Sequence, residues 1–530
     1  MQNPSPNWKL SAPVAADTQA LVVSGFGRLE TGRSLFVALP LDAGGAWVSA
    51  LNEKIPVTEA ARTGRGKLLD RAAAIAFTAS GLERIGLSEA TLASFAPAFR
   101  EGMFQEDRLR RLGDRRKDKW LDTVIKGGPR WSGNVAAPET IDAPEAYSVG
   151  PEKVSSHIAT DLTVHALILL YAHTEADADA LVEEARAALE PHGVKIVHQL
   201  PLLLDVESSG ISREHFGFAD GLSQPLPYDA DGAVERGGGP VTEPDPVHGV
   251  PLGEFLLGYS NGHQEHPPGP VVPGEPDAED GGRPERAGLR PHAEARGFYD
   301  FGRNGSYLVV RELHQDVAAF WNAMNKASEI IQSKDPDATH ITADWIAARV
   351  VGRDKEGHLL RPGGAAPAGR NDLPDNEFLF FDKDRHGFGC PLGSHVRRAN
   401  PRDSLAPEES MKDTLLSAAN NHRILRRARK YGSNLKDPGK DDGADRGLLF
   451  MCLNTDIARQ FEFVQQTWLL NSDFHTLFEE VDPLVGPDGW MTLPEDPLRR
   501  RIEVQTFVQM AGGEYFFLPG MAALRYLALL

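Results

Sequence analysis

Short apolar stretches at residues 20–24, 73–78, 162–171 (LTVHALILLY) and 194–206 predict strands in the first part of the chain. Between them run two helical patterns, at 43–52 and 175–190. The second carries Leu181, Val182, Ala185, Ala188 and Leu189 on one face and stops at Pro191 and Gly193. The second part of the chain repeats the order. Residues 306–312 (SYLVVRE) predict a strand, and Val317, Phe320, Trp321 and Met324 mark one face of the following helix. Strands are expected at 377–381, 448–453 and 514–518, with a helix over 455–468 capped by Asn454. Strand-helix-strand twice over in each half predicts an α+β fold. It would be a duplicated pair of units, each an antiparallel sheet covered by helices, although no repeat is visible in the sequence itself.

Residues 236–297 are rich in Pro, Gly and acidic side chains and bury too little apolar surface to fold alone. They read as a long loop near a domain junction, interrupted by an apolar island at 254–259 that is a candidate strand. The chain is therefore divided at residue 230, into 1–230 and 231–530. A second polar stretch, 354–375, reads as a surface excursion.

Composition then narrows the classes of function. Across 530 residues, 56 basic and 75 acidic side chains give a net charge of −19, which disfavours nucleic acid and anionic membranes as partners. Two cysteines, Cys390 and Cys452, are too few for a disulfide framework or a cysteine zinc site, and buried reduced thiols are expected. The opening MQNPSPNWKL shows no secretory or twin-arginine pattern, and the apolar run at 515–530 is broken by Pro519, Gly520 and Arg525. A soluble, cytoplasmic protein is the expectation.

Three segments carry candidate chemistry. In EHFGFADGLSQP (214–225), Gly217 and Gly221 bracket a single carboxylate, Asp220. The glycines permit positive φ or close approach and hold the acid on a tight turn; the plain alternative is an Asx-turn in which Asp220 bonds its own backbone. In GCPLGSHVRRANPRD (389–403), His395 is a candidate metal ligand, with Asp382 and Asp384 upstream as acceptors for its second ring nitrogen. A satisfied core histidine is the alternative. In NHRILRRARKYG (421–432), a basic run is ordinarily a solvated helix face, but one inward guanidinium can stabilise negative charge on a ligand, and Arg426 stands nearest the apolar pair Ile424-Leu425.

Together these segments resemble the dye-decolorizing (DyP-type) heme peroxidase family, marked by Gly-x-x-Asp-Gly, here Gly217-Phe-Ala-Asp220-Gly221. The likeness continues through NGSYLVVRELHQDVAAFW, VGR, CPLGSHVRRANPRD, RGLLFMCLNTDIARQFEFVQQTW and GGEYFFLPGMAALRYL, in the family's order. It implies two ferredoxin-like units in a dimeric α/β-barrel-like arrangement and one heme b per chain. His395 is implied as proximal iron ligand, Asp220 as distal acid and Arg426 as distal arginine, although Arg427 and Arg429 leave that register open. Arg353 is implied as the partner of a heme propionate, Asp384 (or Asp382) as the acceptor behind His395, and Leu448 and Phe450 as apolar lining of the distal face.

The implied substrates are hydrogen peroxide and a dye, phenol or other aromatic one-electron donor, small or bulky. Asp220 would move a proton between the two peroxide oxygens while Arg426 stabilises negative charge. The alternatives are a heme carrier or iron-releasing protein on the same fold, and a binding module that has lost its heme. Monomer and homo-oligomer are both compatible with the sequence.

Overall fold

The computed structural model describes residues 8–63, 68–135, 157–205, 211–275, 277–278, 282–365, 376–495 and 497–530. Eight strands dominate it: β1 (Thr31–Ala38), β2 (Arg71–Phe77), β3 (Ala166–Ala172), β4 (Lys195–Leu203), β5 (Ser306–Gln315), β6 (Arg429–Tyr431), β7 (Gly447–Asn454) and β8 (Val508–Leu518). Hydrogen bonding runs β5-β7-β6-β4-β1-β3-β2-β8, and β8 pairs back onto β5, closing the sheet. A closed sheet has no unpaired edge to expose.

The strand order reveals the duplication. β1–β4, all N-terminal to residue 230, lie in the order β4-β1-β3-β2, and the later four lie in the order β8-β5-β7-β6. Each half therefore reads last, first, third, second, which is the ferredoxin-like order, and all these pairings are antiparallel. The halves meet at two narrow seams, Leu203 opposite Lys430 and Phe77 opposite Phe517. The N-terminal segment Trp8–Leu10 also pairs with Val234–Arg236, so chain from both sides of residue 230 packs together.

Side chains alternate across the sheet. Leu35, Val37, Ile75, Phe77, Ile168 and Leu170 face one core, where they meet helices α1 (Ala46–Lys54) and α2 (Glu175–Leu189). Phe36, Ala74, Leu167, Leu169, Leu308 and Met451 face another. Helix α3 (Val317–Lys334) has the predicted apolar face, but it buries Phe320 and Met324 in a third core, away from most of the barrel. A short helix, α4 (His395–Ala399), precedes β6, and the chain ends in helix α5 (Met521–Ala528).

Several expectations are corrected. The first strand lies at Thr31–Ala38, where Gly32, Arg33 and Ser34 interrupt the apolar pattern, whereas Ala20–Val22 is a 3₁₀ turn. The apolar island at 254–259 is also not a strand: it follows a 3₁₀ turn, Leu252–Glu254, and anchors Phe255, Leu256 and Leu257 in the core. The surrounding stretch holds several short pairings, such as Val271–Pro273 with Phe298–Asp300, and is not a bare loop. Residues 377–381 are not a strand either; the second strand of the C-terminal half is Arg429–Tyr431, hidden within the basic run. Helix after β7 is present but wound as a π-helix over Ala458–Glu462 and Val464–Leu469. Asn454 ends the strand instead of capping; Asp456 accepts from Arg459 N–H at 2.9 Å. Part of the excursion at 354–375 folds as a pairing of Leu360–Arg361 with Gly364–Ala365, and 366–375 lie outside the described residues. Cys390 and Cys452 are buried and unpaired. Among the described residues, no helix is long and apolar enough to cross a membrane.

Candidate active site

A cavity of about 1140 Å³ lies on the face of β5, β7 and β8 that carries Leu313, Phe450 and Met510. Helix α4 and the π-helix form its opposite wall through His395, Val396, Phe461 and Val464. It exceeds the roughly 300–1,000 Å³ of ordinary small-molecule sites. Two loops close its sides, residues 212–224 and 422–429.

The first loop is held from within. Asp220 N–H donates to Ser212 O at 2.9 Å and Arg213 bridges Ala219, making a narrow hairpin. Inside it the Glu214 carboxylate accepts from Phe216 N–H, Phe218 N–H and the Gln315 side chain of β5, each at 2.8 Å. Burial pushes the Glu214 carboxyl up to about 7 against the pull of those donors, and the Asp220 charge adds to the rise. Phe216 and Phe218 pin the loop to α3, stacking on Phe320 at 4.5 Å and Trp321 at 6.4 Å between ring centroids.

Gly217 and Gly221 adopt φ of 95° and 72°, and an added Cβ at either would meet nothing within 4 Å. Backbone conformation, not crowding, is what asks for glycine. Asp220 Oδ1 accepts from Gly221 N–H at 2.6 Å and faces Arg426 Nη1 at 3.4 Å. The turn bond thus occupies one oxygen, and Oδ2 has no hydrogen-bond partner among the described residues.

Arg426 is set by its backbone. Leu425–Arg426 pairs with Leu453 and Cys452, and the Gln224 side chain accepts from Arg426 N–H at 3.1 Å and donates to its carbonyl at 3.3 Å. Its Nη2 donates to Ser223 O at 3.1 Å. Arg427 and Arg429 instead bond the carbonyls of Leu21 and Leu29, so of these three arginines Arg426 is the one that faces Asp220.

His395 opens α4. Its Nδ1 lies 2.9 Å from Asp482 Oδ2, while Asp482 Oδ1 accepts from Leu484 and Val485 N–H at 2.9 and 3.0 Å. Burial opposes the imidazolium, yet the Asp482 carboxylate outweighs it and raises His395 above its ordinary range. Burial likewise opposes ionisation of Asp482, and His395, the Val485 N–H and Arg398 hold it below its ordinary range. The charges of Asp220 and Arg426 also act on the His395 ring, so the two polar ends of the cavity sense each other.

The acceptor behind His395 is therefore Asp482, not Asp384. Asp384 is committed to the preceding loop, accepting from Cys390 N–H at 2.8 Å and Gly389 N–H at 3.2 Å and lying 3.6 Å from Arg397. Asp382 pairs with Lys412 at 3.0 Å. Leu448 and Phe450 line the cavity from β7. Arg353 lines it as well, with its guanidinium bonded to Gly357 O at 2.6 Å and Asn376 Oδ1 at 2.7 Å. Sequence reasoning missed Asp482, Glu214 and Gln224. Asp482 stands 87 positions from His395 with no spacing signal, whereas Glu214 was visible as the first residue of the glycine motif segment.

No protein-family model matches the chain. It is 30% identical over 390 residues to the multifunctional dye peroxidase DyP2 of an Amycolatopsis species, covering 69% of this chain and 71% of that one. It is 27% identical over 365 residues to the dye-decolorizing peroxidase of Mycena epipterygia, spanning 59% of this chain and 57% of the fungal protein. The crystal structure of a DyP-type peroxidase from an Anabaena species superposes with a TM-score of 0.68 at 24% identity, covering 97% of this chain and 95% of the other.

Proposed function

We propose a division of labour for the cavity residues on the premise that the chain belongs to the dye-decolorizing (DyP-type) heme peroxidase family. It is a heme-dependent peroxidase that reduces hydrogen peroxide and oxidises a second substrate. The observation that carries the residue roles is the shared cavity: an imidazole backed by a buried carboxylate, and an acid-arginine pair close enough to act on it electrostatically.

The donor set fits heme. With Nδ1–H donated to Asp482, His395 keeps the Nε2 lone pair for iron, and the carboxylate raises its basicity as a ligand. Leu448, Phe450, Phe461 and Met510 offer the apolar surface that a porphyrin face needs. When bound, heme supplies the iron that takes up peroxide and stores its oxidising equivalents. Asp220 Oδ2 is the free oxygen placed to accept a proton from one peroxide oxygen and return it to the other, while Oδ1 stays tied to Gly221. Arg426, with Nη2 anchored on Ser223 O, directs positive charge toward the same space and stabilises negative charge as the O–O bond breaks. Arg353 is assigned a cofactor carboxylate. The second substrate is assigned to the aromatic one-electron donors, dyes and phenols included.

His395→Ala is expected to purify without a Soret band and to fail to take up added hemin; unchanged heme content would remove it as the ligand. Asp220→Asn combined with Arg426→Leu is expected to keep heme and to slow peroxide consumption by at least about 100-fold. Survival of most of the rate would contradict both roles. The same pair separates a peroxidase from a heme carrier, which needs neither residue.

A further inference from the structure

Five buried arginines line the cavity, and among the described residues four of them are engaged by protein. Arg311 meets Asp114 at 2.5 Å, and Arg353 bonds Gly357 O and Asn376. Arg402 bonds the carbonyls of Asn376 and Phe378, and Arg429 those of Leu29 and Phe26. The fifth, Arg423, is 7% exposed, and among the described residues its guanidinium has no hydrogen bond or ion pair; Nη1 is buried without a partner there.

This is an expensive arrangement. A buried cation without a counter-charge is destabilising, and its neighbours make matters worse. Burial and the nearby Arg426 push the Arg423 guanidinium down to about 10. His248, which senses the Arg423 charge, is pushed down to about 3 by burial and by Arg402 and Arg423, and so is neutral. No carboxylate among the described residues compensates Arg423. The backbone nevertheless holds it firmly: the Arg423 carbonyl accepts from Gln460 of the π-helix at 2.7 Å.

We infer that Arg423 is a carboxylate anchor for the bound heme, distinct from Arg353. The inference rests on the heme reading above. A resident anion explains the site better than a transient substrate, because a substrate would leave the charge uncompensated for most of the protein's life. Heme carries two carboxylates, so a second guanidinium lining the same cavity as Arg353 has a partner available. A bidentate pair with a planar guanidinium suits this role.

The test compares hemin with hemin dimethyl ester, which lacks the carboxylates, in the wild type, Arg423→Gln and Arg423→Lys. The readout is transfer to excess apomyoglobin. Arg423→Gln is expected to release hemin about 10- to 100-fold faster, the factor for one lost charged hydrogen bond. Release of the dimethyl ester is expected to be the same from both proteins, and Arg423→Lys should fall between. The heme-free Arg423→Gln protein should melt no lower than heme-free wild type, because an uncompensated charge has been removed; a purely structural arginine would give the opposite result. Equal hemin release from wild type and Arg423→Gln overturns the anchor, as does equal acceleration with the ester. Unchanged release with a raised KM for an anionic donor would reassign Arg423 to substrate. Failure of the wild type to retain hemin would overturn the heme reading itself, and the anchor with it.

Discussion

Replacing Glu214 by glutamine separates the two things this side chain does, holding the Asp220 loop and resisting ionisation. In the folded chain burial raises the carboxyl from 4.5 to about 7. Glu214 lines the cavity. Below pH 4.5 it is protonated in both folded and unfolded chains. Between 4.5 and 7 the unfolded chain releases the proton while the folded chain keeps it, so stability falls as pH rises and the loss is complete above 7. The gap from 4.5 to 7, at about 1.4 kcal/mol per pH unit, amounts to about 3 kcal/mol. Glutamine does not titrate and lacks this slope. At low pH the protonated carboxyl and the amide each offer one carbonyl acceptor to Phe216 and Phe218 N–H, so any offset between the two proteins is fixed there and the pH dependence comes from the titration alone. Urea denaturation of heme-free wild type and Glu214→Gln from pH 4.5 to about 8 resolves the two effects. The stability advantage of the wild type should shrink by about 3 kcal/mol across the range. An advantage that stays level would refute the reasoning, because it would mean that the carboxyl ionises in the folded chain as readily as in the unfolded one.

Other substitutions probe the remaining supports. Asp482→Asn should weaken heme retention about 10- to 100-fold, whereas Asp384→Asn should leave retention within a few-fold and lower the melting temperature, as hemin titration and calorimetry will show. Gly221→Ala should cost about 1–2 kcal/mol through its left-handed backbone alone, and Gly221→Asn less, measured by denaturation. Phe218→Ala should cost about 3–5 kcal/mol if the loop is truly pinned by its stack on Trp321; peroxide consumption should fall with it while heme content holds.

How much of this was legible in the sequence depended on the length of the element and the origin of its partners. Helix α2 was readable because fifteen residues of periodicity are decided locally. Strand β1 was not, since Gly32, Arg33 and Ser34 look polar until β3 and β4 bury them from both sides. Strand β6 is three residues long, and its Arg429 and Lys430 are buried because Leu29, Phe26 and Asp205 receive their charges. No periodicity announces that. In the cavity, Asp220 stood out because glycines flank it, and the grouping of Asp220, Arg426 and His395 follows the family motifs. The Asp384 expectation rested on proximity in sequence, and the tertiary fold brought in Asp482 from 87 positions away.

The two halves share a strand order, yet the cavity described above opens on the sheet face of the C-terminal half, and the covering helices differ between the halves. In the N-terminal half, α1 follows β1 and returns directly onto the sheet, with Trp47, Val48 and Leu51 filling the same core as Leu35 and Ile75. In the C-terminal half, α3 follows β5 in the equivalent place but leaves the sheet, and Val317, Phe320 and Met324 pack instead with Phe216, Phe218 and the residues around Ile502. The face bearing Leu313, Phe450 and Met510 is thereby left free of α3, and α4 and the π-helix stand across the cavity from it. The diverted helix also explains where the acid sits. Phe216 and Phe218 at the end of the first half dock on α3, and that docking carries Asp220 to the rim of the second half's exposed sheet, opposite residues from another domain-length of chain. A helix that failed to cover its sheet thus supplies both the volume of the cavity and the platform for the Asp220 loop.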